Sequence, residues 1–430
     1  MNRMPPLTIV SGARTPFAKA FTSLSEVSAV ELGCAAIADT LRRASSSPAQ
    51  IDEVIMGNVS GPPDAANIAR VIALQSEIPI DRIAHTVNRN CASGMEAILS
   101  GWHAIHESRA ELVVAGGTES MSQVPLLFSQ ESAGLWLRLS RAKSLGQRLK
   151  ILASFRPRHF KPVVGIELGL TDPVSGLNMG QTAELLAKEF EISRAEQDQY
   201  ALESHQKAES AQDRCFLSGE IVATTTRSGT LVDKDNGIRR GQSLEQLAKL
   251  RPIFERGGTV TAGNSCPLTD GAAALTLTSV ENSKRFSSPL GYVTHYAVAG
   301  CAPDHMGLGP VYATAKLLQQ SGLTMDDFEL VEINEAFAAQ VLACQRAFGS
   351  KSFAVQELGC SEALGEIPPE KLNVHGGAIA LGHPVGTTGT RLVLTLLRAL
   401  RASGKRRGLA TLCVGGGQGV AMVVETELEN

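Results

Sequence analysis

The sequence predicts an α/β protein of two or three units. Short apolar runs of strand length alternate with helical patterns along most of the chain, and 430 residues exceed one ordinary domain. A composition of 43% hydrophobic and 19% charged residues is that of a globular protein. The net charge of −3 gives no general attraction to nucleic acid or to anionic membrane.

The elements follow in order. Leu7–Val10 reads as a buried strand, and Val27, Val30, Leu32, Ala36, Ile37 and Leu41 carry a helical pattern. Val54-Ile55-Met56 is strand-like, residues 65–74 form a second helix, and Ile83–Val87 is a strand. Met95, Ile98, Trp102 and Ile105 then recur at helical spacing, and Glu111–Gly117 is a strand ending in glycines. The rhythm breaks from Met121 to Leu177. No acidic residue lies between Glu131 and Glu167, while Arg138, Arg141, Lys143, Arg148, Lys150, Arg156, Arg158 and Lys161 interleave with apolar residues. This is the pattern of a basic amphipathic helix, which lies on a membrane surface, docks on a partner, or simply snorkels its cations.

Beyond it, Met179–Phe190 is helical, and Ser193 with Glu196 forms a capping box opening a helix to Phe216. Thr224–Gln242 reads as loop and Ala272–Leu277 as a strand of small residues. The last third alternates strand Tyr292–Val298, helix Val311–Gln320, strand Phe328–Ile333 and helix Glu335–Phe348. A glycine-rich loop through His383, a helix at 388–402, a strand at Leu409–Cys413 and a final strand to Val424 complete the chain. Glycine-rich turn, helix and glycine-ended strand describe both 90–117 and 376–417, a faint internal repeat.

The eight cysteines are scattered and include no C-x-x-C, which points to a reducing compartment and away from structural zinc. The N-terminus runs within six residues into Leu7–Val10, which leaves no room for a signal peptide, and no apolar run reaches membrane-spanning length. A cytoplasmic location is therefore expected. The cluster at 415–419 is not G-x-G-x-x-G opening a helix, which argues against a dinucleotide site. Cys91, Asn334, His383 and Cys413 each stand at the end of an element beside glycine or another small residue. A thiol at a helix N-terminus is stabilised as thiolate by the helix dipole, so Cys91 is a candidate nucleophile.

Asn90-Cys91-Ala92-Ser93-Gly94, Asn334-Glu335-Ala336-Phe337-Ala338, Gly376–Pro384 and Cys413-Val414-Gly415-Gly416-Gly417 resemble, in order, the signature blocks of thiolases. The resemblance implies two related mixed α/β halves in a five-layered αβαβα arrangement with an inserted loop domain. It divides the chain into a first half (1–120), a loop domain with the basic insert (121–250), a return to the first half (251–280) and a second half (281–430). It also implies acyl transfer to coenzyme A, a substrate rather than a cofactor, with no metal or redox group. Carried across, Cys91 becomes S-acylated, His383 takes its proton, and Cys413 moves the proton on the substrate α-carbon. Asn334, through a water, and His383 form one oxyanion hole; the N–H groups of Cys91 and Gly415 form the other. Arg239 matches an arginine near the nucleotide of coenzyme A. Cys266 falls where relatives usually carry serine or threonine near the pantetheine.

The expected reaction is degradative thiolysis of 3-oxoacyl-CoA. Condensation of two acetyl-CoA molecules and a non-catalytic scaffold are the rival readings. Asn178 stands where short-chain thiolases often have histidine. The basic insert is similar to that of thiolase subunits in fatty-acid oxidation complexes, although those often have His-Glu-Ala-Phe where this chain has Asn334-Glu335-Ala336-Phe337. A homodimer or homotetramer, a hydratase/dehydrogenase partner and peripheral membrane contact through 131–167 follow from the same resemblance, with no nucleic-acid partner.

Overall fold

The computed structural model describes residues 4–429. Its frame is nine strands: β1 (Leu7–Arg14), β2 (Glu53–Gly57), β3 (Ile83–Val87), β4 (Leu112–Glu119), β5 (Thr269–Ser279), β6 (Gly291–Gly300), β7 (Leu330–Ile333), β8 (Arg407–Val414) and β9 (Gln418–Glu425). They pair in the order β7-β8-β9-β6-β1-β5-β4-β2-β3, with the two-residue strand Ala18–Lys19 added on β5. The pairs β2–β3, β2–β4 and β7–β8 are parallel; the remainder are antiparallel. The two half-sheets meet where Leu7–Ile9 pair with Gly291–Val293. The halves thus share one continuous ladder.

Among the described residues there are ten helices of eight residues or more: α1 (Ala29–Ala44), α2 (Ile68–Gln75), α3 (Ser93–His106), α4 (Gln130–Arg141), α5 (Leu145–Leu152), α6 (Met179–Glu189), α7 (Arg194–Asp213), α8 (Gly309–Ser321), α9 (Ala338–Gly349) and α10 (Thr388–Ala402). Three apolar clusters sort them into layers. Met95, Ile98 and Trp102 of α3 meet Leu392, Leu396 and Leu400 of α10 in a core walled by both half-sheets. Leu32 and Ile37 of α1 and Ile72 of α2 cover the outer face of the first half-sheet. Val311 of α8 and Phe348 of α9 cover that of the second. The result is the five-layered αβαβα arrangement expected from the resemblance. In each half a crossing helix, α3 or α10, feeds a strand parallel to its neighbour, β4 beside β2 or β8 beside β7.

Local chemistry sets the boundaries. Ser28 and Glu31 close a capping box on α1, and Ser193 and Glu196 close the expected one on α7. The helix expected from Glu335 begins only at Ala338, because Phe337 is extended and bridges Ser265. The helix expected at 65–74 starts at Ile68, where the Asn67 side chain caps the Arg70 N–H. Within the expected loop Thr224–Gln242, Thr224–Thr225 and Leu231–Val232 pair as a small hairpin. The basic segment is two helices, α4 and α5, rather than one. Trp136 meets Phe155 and Phe160 edge to face there, and the two phenylalanines lie tilted against each other, instead of entering the main core.

Candidate active site

Cys91 sits between β3 and α3, two residues before the first helical residue Ser93. Asn90 holds a left-handed conformation, φ +44°, which asparagine tolerates better than most residues. Its Nδ2 donates to the Gly415 carbonyl across the halves at 2.7 Å. Ser93 Oγ donates to the Asn90 carbonyl and accepts from the Arg89 N–H, which locks the turn. The N–H groups of Gly415 and Cys91 both face the thiol and favour its ionised form. Burial outweighs them and, with the nearby Glu119 carboxylate, pushes the Cys91 thiol above its ordinary value. The helix dipole favours the thiolate but does not prevail over burial, so at neutral pH the thiol needs a base.

His383 supplies one. It is 7% exposed, and burial, aided by Arg391, lowers its pKa to about 4, so the ring is neutral at physiological pH. Nδ1 lies 2.6 Å from Thr388 Oγ1, which itself donates its single proton to the Pro384 carbonyl. Nδ1 must therefore carry the ring proton, and the lone pair falls on Nε2, a buried atom with no partner among the described residues. On the far side of His383, Glu119 accepts from the Gly386 N–H and from the N–H groups of Val59 and Ser60, tying this loop to the first half.

Cys91, His383, Cys413, Gly415 and Cys266 line one cavity of about 510 Å³, walled mainly by apolar groups such as Met121, Leu170, Met179 and Phe337. Cys413, at the end of β8, is 1% exposed and its thiol is raised well above normal, first by burial and then by Cys91. Cys266 is pushed up to about 12 by burial. Asn334 is fully buried and is not among the residues lining the cavity; its N–H donates to the Thr411 carbonyl of β8. Its side-chain Oδ1 and Nδ2 have no protein partner among the described residues and remain free for a ligand or solvent. Arg239 is not brought to the cavity: it donates from Nη2 to the Ala262 carbonyl and from its N–H to His205. Thr388 and Glu119 went unnoticed in the sequence, because their roles depend on how the His383 loop folds back and no spacing announces that. Among the described residues no group of three His, Cys, Asp or Glu side chains is placed to hold a metal ion.

The profile described as thiolase, N-terminal domain, matches residues 7–281, and that of thiolase, C-terminal domain, matches residues 287–426. The chain belongs to the thiolase family. It is 41% identical over 425 residues to a 3-ketoacyl-CoA thiolase of Shewanella pealeana, covering 98% of this chain and 97% of that protein. A 3-ketoacyl-CoA thiolase of Yersinia enterocolitica matches equally, at 41% over the same shares. Among solved structures, the Bacillus anthracis acetyl-CoA acetyltransferase superposes with a TM-score of 0.86 at 35% identity, over 99% of this thiolase and 100% of that chain. Human mitochondrial 3-ketoacyl-CoA thiolase in complex with CoA superposes with a TM-score of 0.85 at 36% identity, over 99% and 98%. This thiolase is an acyltransferase with a cavity that opens onto three thiols, Cys91, Cys266 and Cys413, and a neutral imidazole.

Proposed function

We propose that this thiolase cleaves 3-oxoacyl-CoA with coenzyme A, yielding acetyl-CoA and an acyl-CoA two carbons shorter. The observation that carries this reading is the convergence of Cys91, His383 and Cys413, from both halves, on one apolar cavity. His383 Nε2 takes the Cys91 proton, and the sulfur attacks the 3-oxo carbon. The bond between carbons 2 and 3 breaks, leaving an acyl group on Cys91 and an enolate that Cys413 protonates. Coenzyme A thiol then gives its proton to Cys413 and attacks the thioester, and Cys91 leaves as thiolate to recover its proton from His383. Each developing negative oxygen needs donors: the Cys91 and Gly415 N–H groups supply them for the tetrahedral adduct on Cys91, and His383, protonated by then, with a water held by Asn334 supplies them for the enolate oxygen. A general base contributes about 10²–10⁴-fold and an oxyanion donor about 3–4 kcal/mol.

The same residues serve condensation of two acetyl-CoA molecules, and the likeness to an acetyl-CoA acetyltransferase keeps that reading in play. The mainly apolar wall favours longer acyl chains. Steady-state thiolysis of C4 to C16 3-oxoacyl-CoA, with Cys91→Ser alongside, tests both. Thiolysis extending beyond C4 and lost by more than about 10³-fold in the variant is expected; activity confined to C4 sinks the degradative reading, and an active variant sinks the mechanism.

Residues 121–250 then act as the loop domain, with Arg239 and Cys266 toward coenzyme A. No helix among the described residues is long and apolar enough to cross a membrane. We place the protein in the cytoplasm as a homo-oligomer, with the exposed insert at 131–167 directed to a membrane surface or to a β-oxidation partner subunit.

A further inference from the structure

We propose that Glu335 is a positioning residue that holds the Asn334 and His383 arms of the site in register; this rests on the reading of His383 and Asn334 given above. Glu335 is 1% exposed, and its carboxylate meets four groups at once. Oε1 accepts from Tyr200 OH at 3.1 Å and from Asn373 Nδ2 at 2.9 Å. Oε2 accepts from Ser204 Oγ at 2.6 Å and from the Ile379 N–H at 3.2 Å. Tyr200 OH in turn accepts from Asn373 Nδ2, and Ser204 Oγ accepts from the Gly377 N–H, so each hydroxyl proton is directed at the carboxylate. Every neighbour is a donor, and only an ionised, acceptor-only carboxylate satisfies all four.

The two oxygens act on different things. Oε2 grips the loop that leads to His383, directly at Ile379 and through Ser204 at Gly377. Oε1 faces Tyr200 of α7 and Asn373, whose Oδ1 accepts from the Ile333 N–H at the end of β7. The residue before Glu335 is Asn334, itself tied to β8 through Thr411. One side chain therefore joins Asn334 to the approach of His383.

That approach needs a fastening. Gly376 and Gly382 take φ +75° and +110°, conformations open chiefly to glycine, and a run with such freedom does not fix a side chain by itself. A Cβ on Gly377 would enter the Glu335 carboxylate, so the close approach also demands glycine there. Oxyanion stabilisation works only when donors are held near where charge develops, and a displacement of about 1 Å costs about 10²-fold.

The experiment compares Glu335→Gln, Ser204→Ala and Tyr200→Phe in the full-length enzyme by steady-state thiolysis, thermal unfolding and iodoacetamide labelling of Cys91. The glutamine is isosteric, but its amide N–H groups oppose a donor whichever way it lies, so one grip is lost. Expected are a kcat lowered about 30- to 100-fold for Glu335→Gln, with KM within about threefold, and a smaller loss for Ser204→Ala. Tyr200→Phe spares Oε2 and lowers the melting temperature with kcat within about twofold. A folded Glu335→Gln enzyme with parental kcat overturns the proposal, as does a kcat loss in Tyr200→Phe equal to that in Glu335→Gln. If Glu335→Gln does not fold, Ser204→Ala decides, and parental kcat there overturns it. The Cys91→Ser control separates the two levels: an active control overturns the reading of the site, whereas an inactive control with an active Glu335→Gln overturns the brace alone.

Discussion

The cavity around Cys91 and the insert between Leu126 and Phe160 treat their side chains in opposite ways. At the cavity, glycine lets the two halves close on each other: a Cβ on Gly94 would lie 2.6 Å from Thr390 Oγ1 and 2.7 Å from the Thr390 nitrogen. Carboxylates there are buried and saturated with donors, Glu119 on one flank of the His383 loop and Glu335 on the other. In the insert Leu145 is 74% and Leu149 58% exposed, beside the exposed cations Arg148 and Lys150. A leucine left in water forgoes about 1.5–3 kcal/mol of burial. Proximity between halves dictates the residues of the first region, whereas no contact with the main core dictates the exposed leucines of the second.

Breaking the first region takes a single atom or proton. His383→Asn removes the base assigned to Cys91 and is expected to lower turnover by about 10³-fold, at the strong end of general-base effects. Its signature is the pH dependence of Cys91 alkylation. In the parent, His383 is neutral above about pH 4, so the base is available throughout the neutral range. Without it, the raised thiol pKa governs, and alkylation at pH 7 slows and keeps climbing beyond pH 9. A variant alkylated as fast as the parent at pH 7 would show that the N–H groups of Gly415 and Cys91 ionise the thiol unaided.

Gly94→Ala tests the approach between halves. The obstacle is the Thr390 backbone rather than a flexible tip, so a loss of about 2–3 kcal/mol is expected, read as a lower urea midpoint with unchanged slope. Thr388→Val keeps shape but removes the acceptor on Nδ1 and frees the ring to populate the wrong tautomer. A kcat lowered about tenfold with little change in KM is expected, and an unchanged kcat means the tautomer is fixed elsewhere.

These contrasts explain how far the sequence was legible. Strand and helix identity came through because Leu7–Val10, the Met95–Ile105 stripe and the Ser193–Glu196 capping box state their preferences within a few residues. Thiolase motifs brought Cys91, His383, Cys413, Gly415 and Cys266 to one list, and the cavity joins them. The sign of the Cys91 shift did not come through, since burial is set by residues hundreds of positions away and reverses what the local helix favours. Helix α9 began late for a related reason: Glu335 and Phe337 are committed to Asn373 and Ser265, contacts that outweigh helical periodicity. Arg239 stays outside the cavity, its guanidinium on the Ala262 carbonyl.

The smallest expected effect lies in the insert, and it is the sharpest test of the contrast. Replacing Leu145 and Leu149 with serine, together with Arg148→Gln and Lys150→Gln, touches no residue of the cavity wall and no buried contact of the main core. Exposed substitutions of this kind stay within about 0.5 kcal/mol each, so melting temperature and kcat should match the parent. What should change is association with anionic phospholipid vesicles, because both the apolar area and the cationic attraction that hold an amphipathic helix at a lipid surface are reduced. Co-sedimentation at low and high salt separates the two contributions, since salt screens only the second. A parent protein that ignores vesicles, or a variant that binds them equally, removes the membrane from consideration and leaves a protein partner as the reason these leucines face water. A variant with impaired turnover would show instead that the insert reaches the cavity, and the division between the two regions would fall.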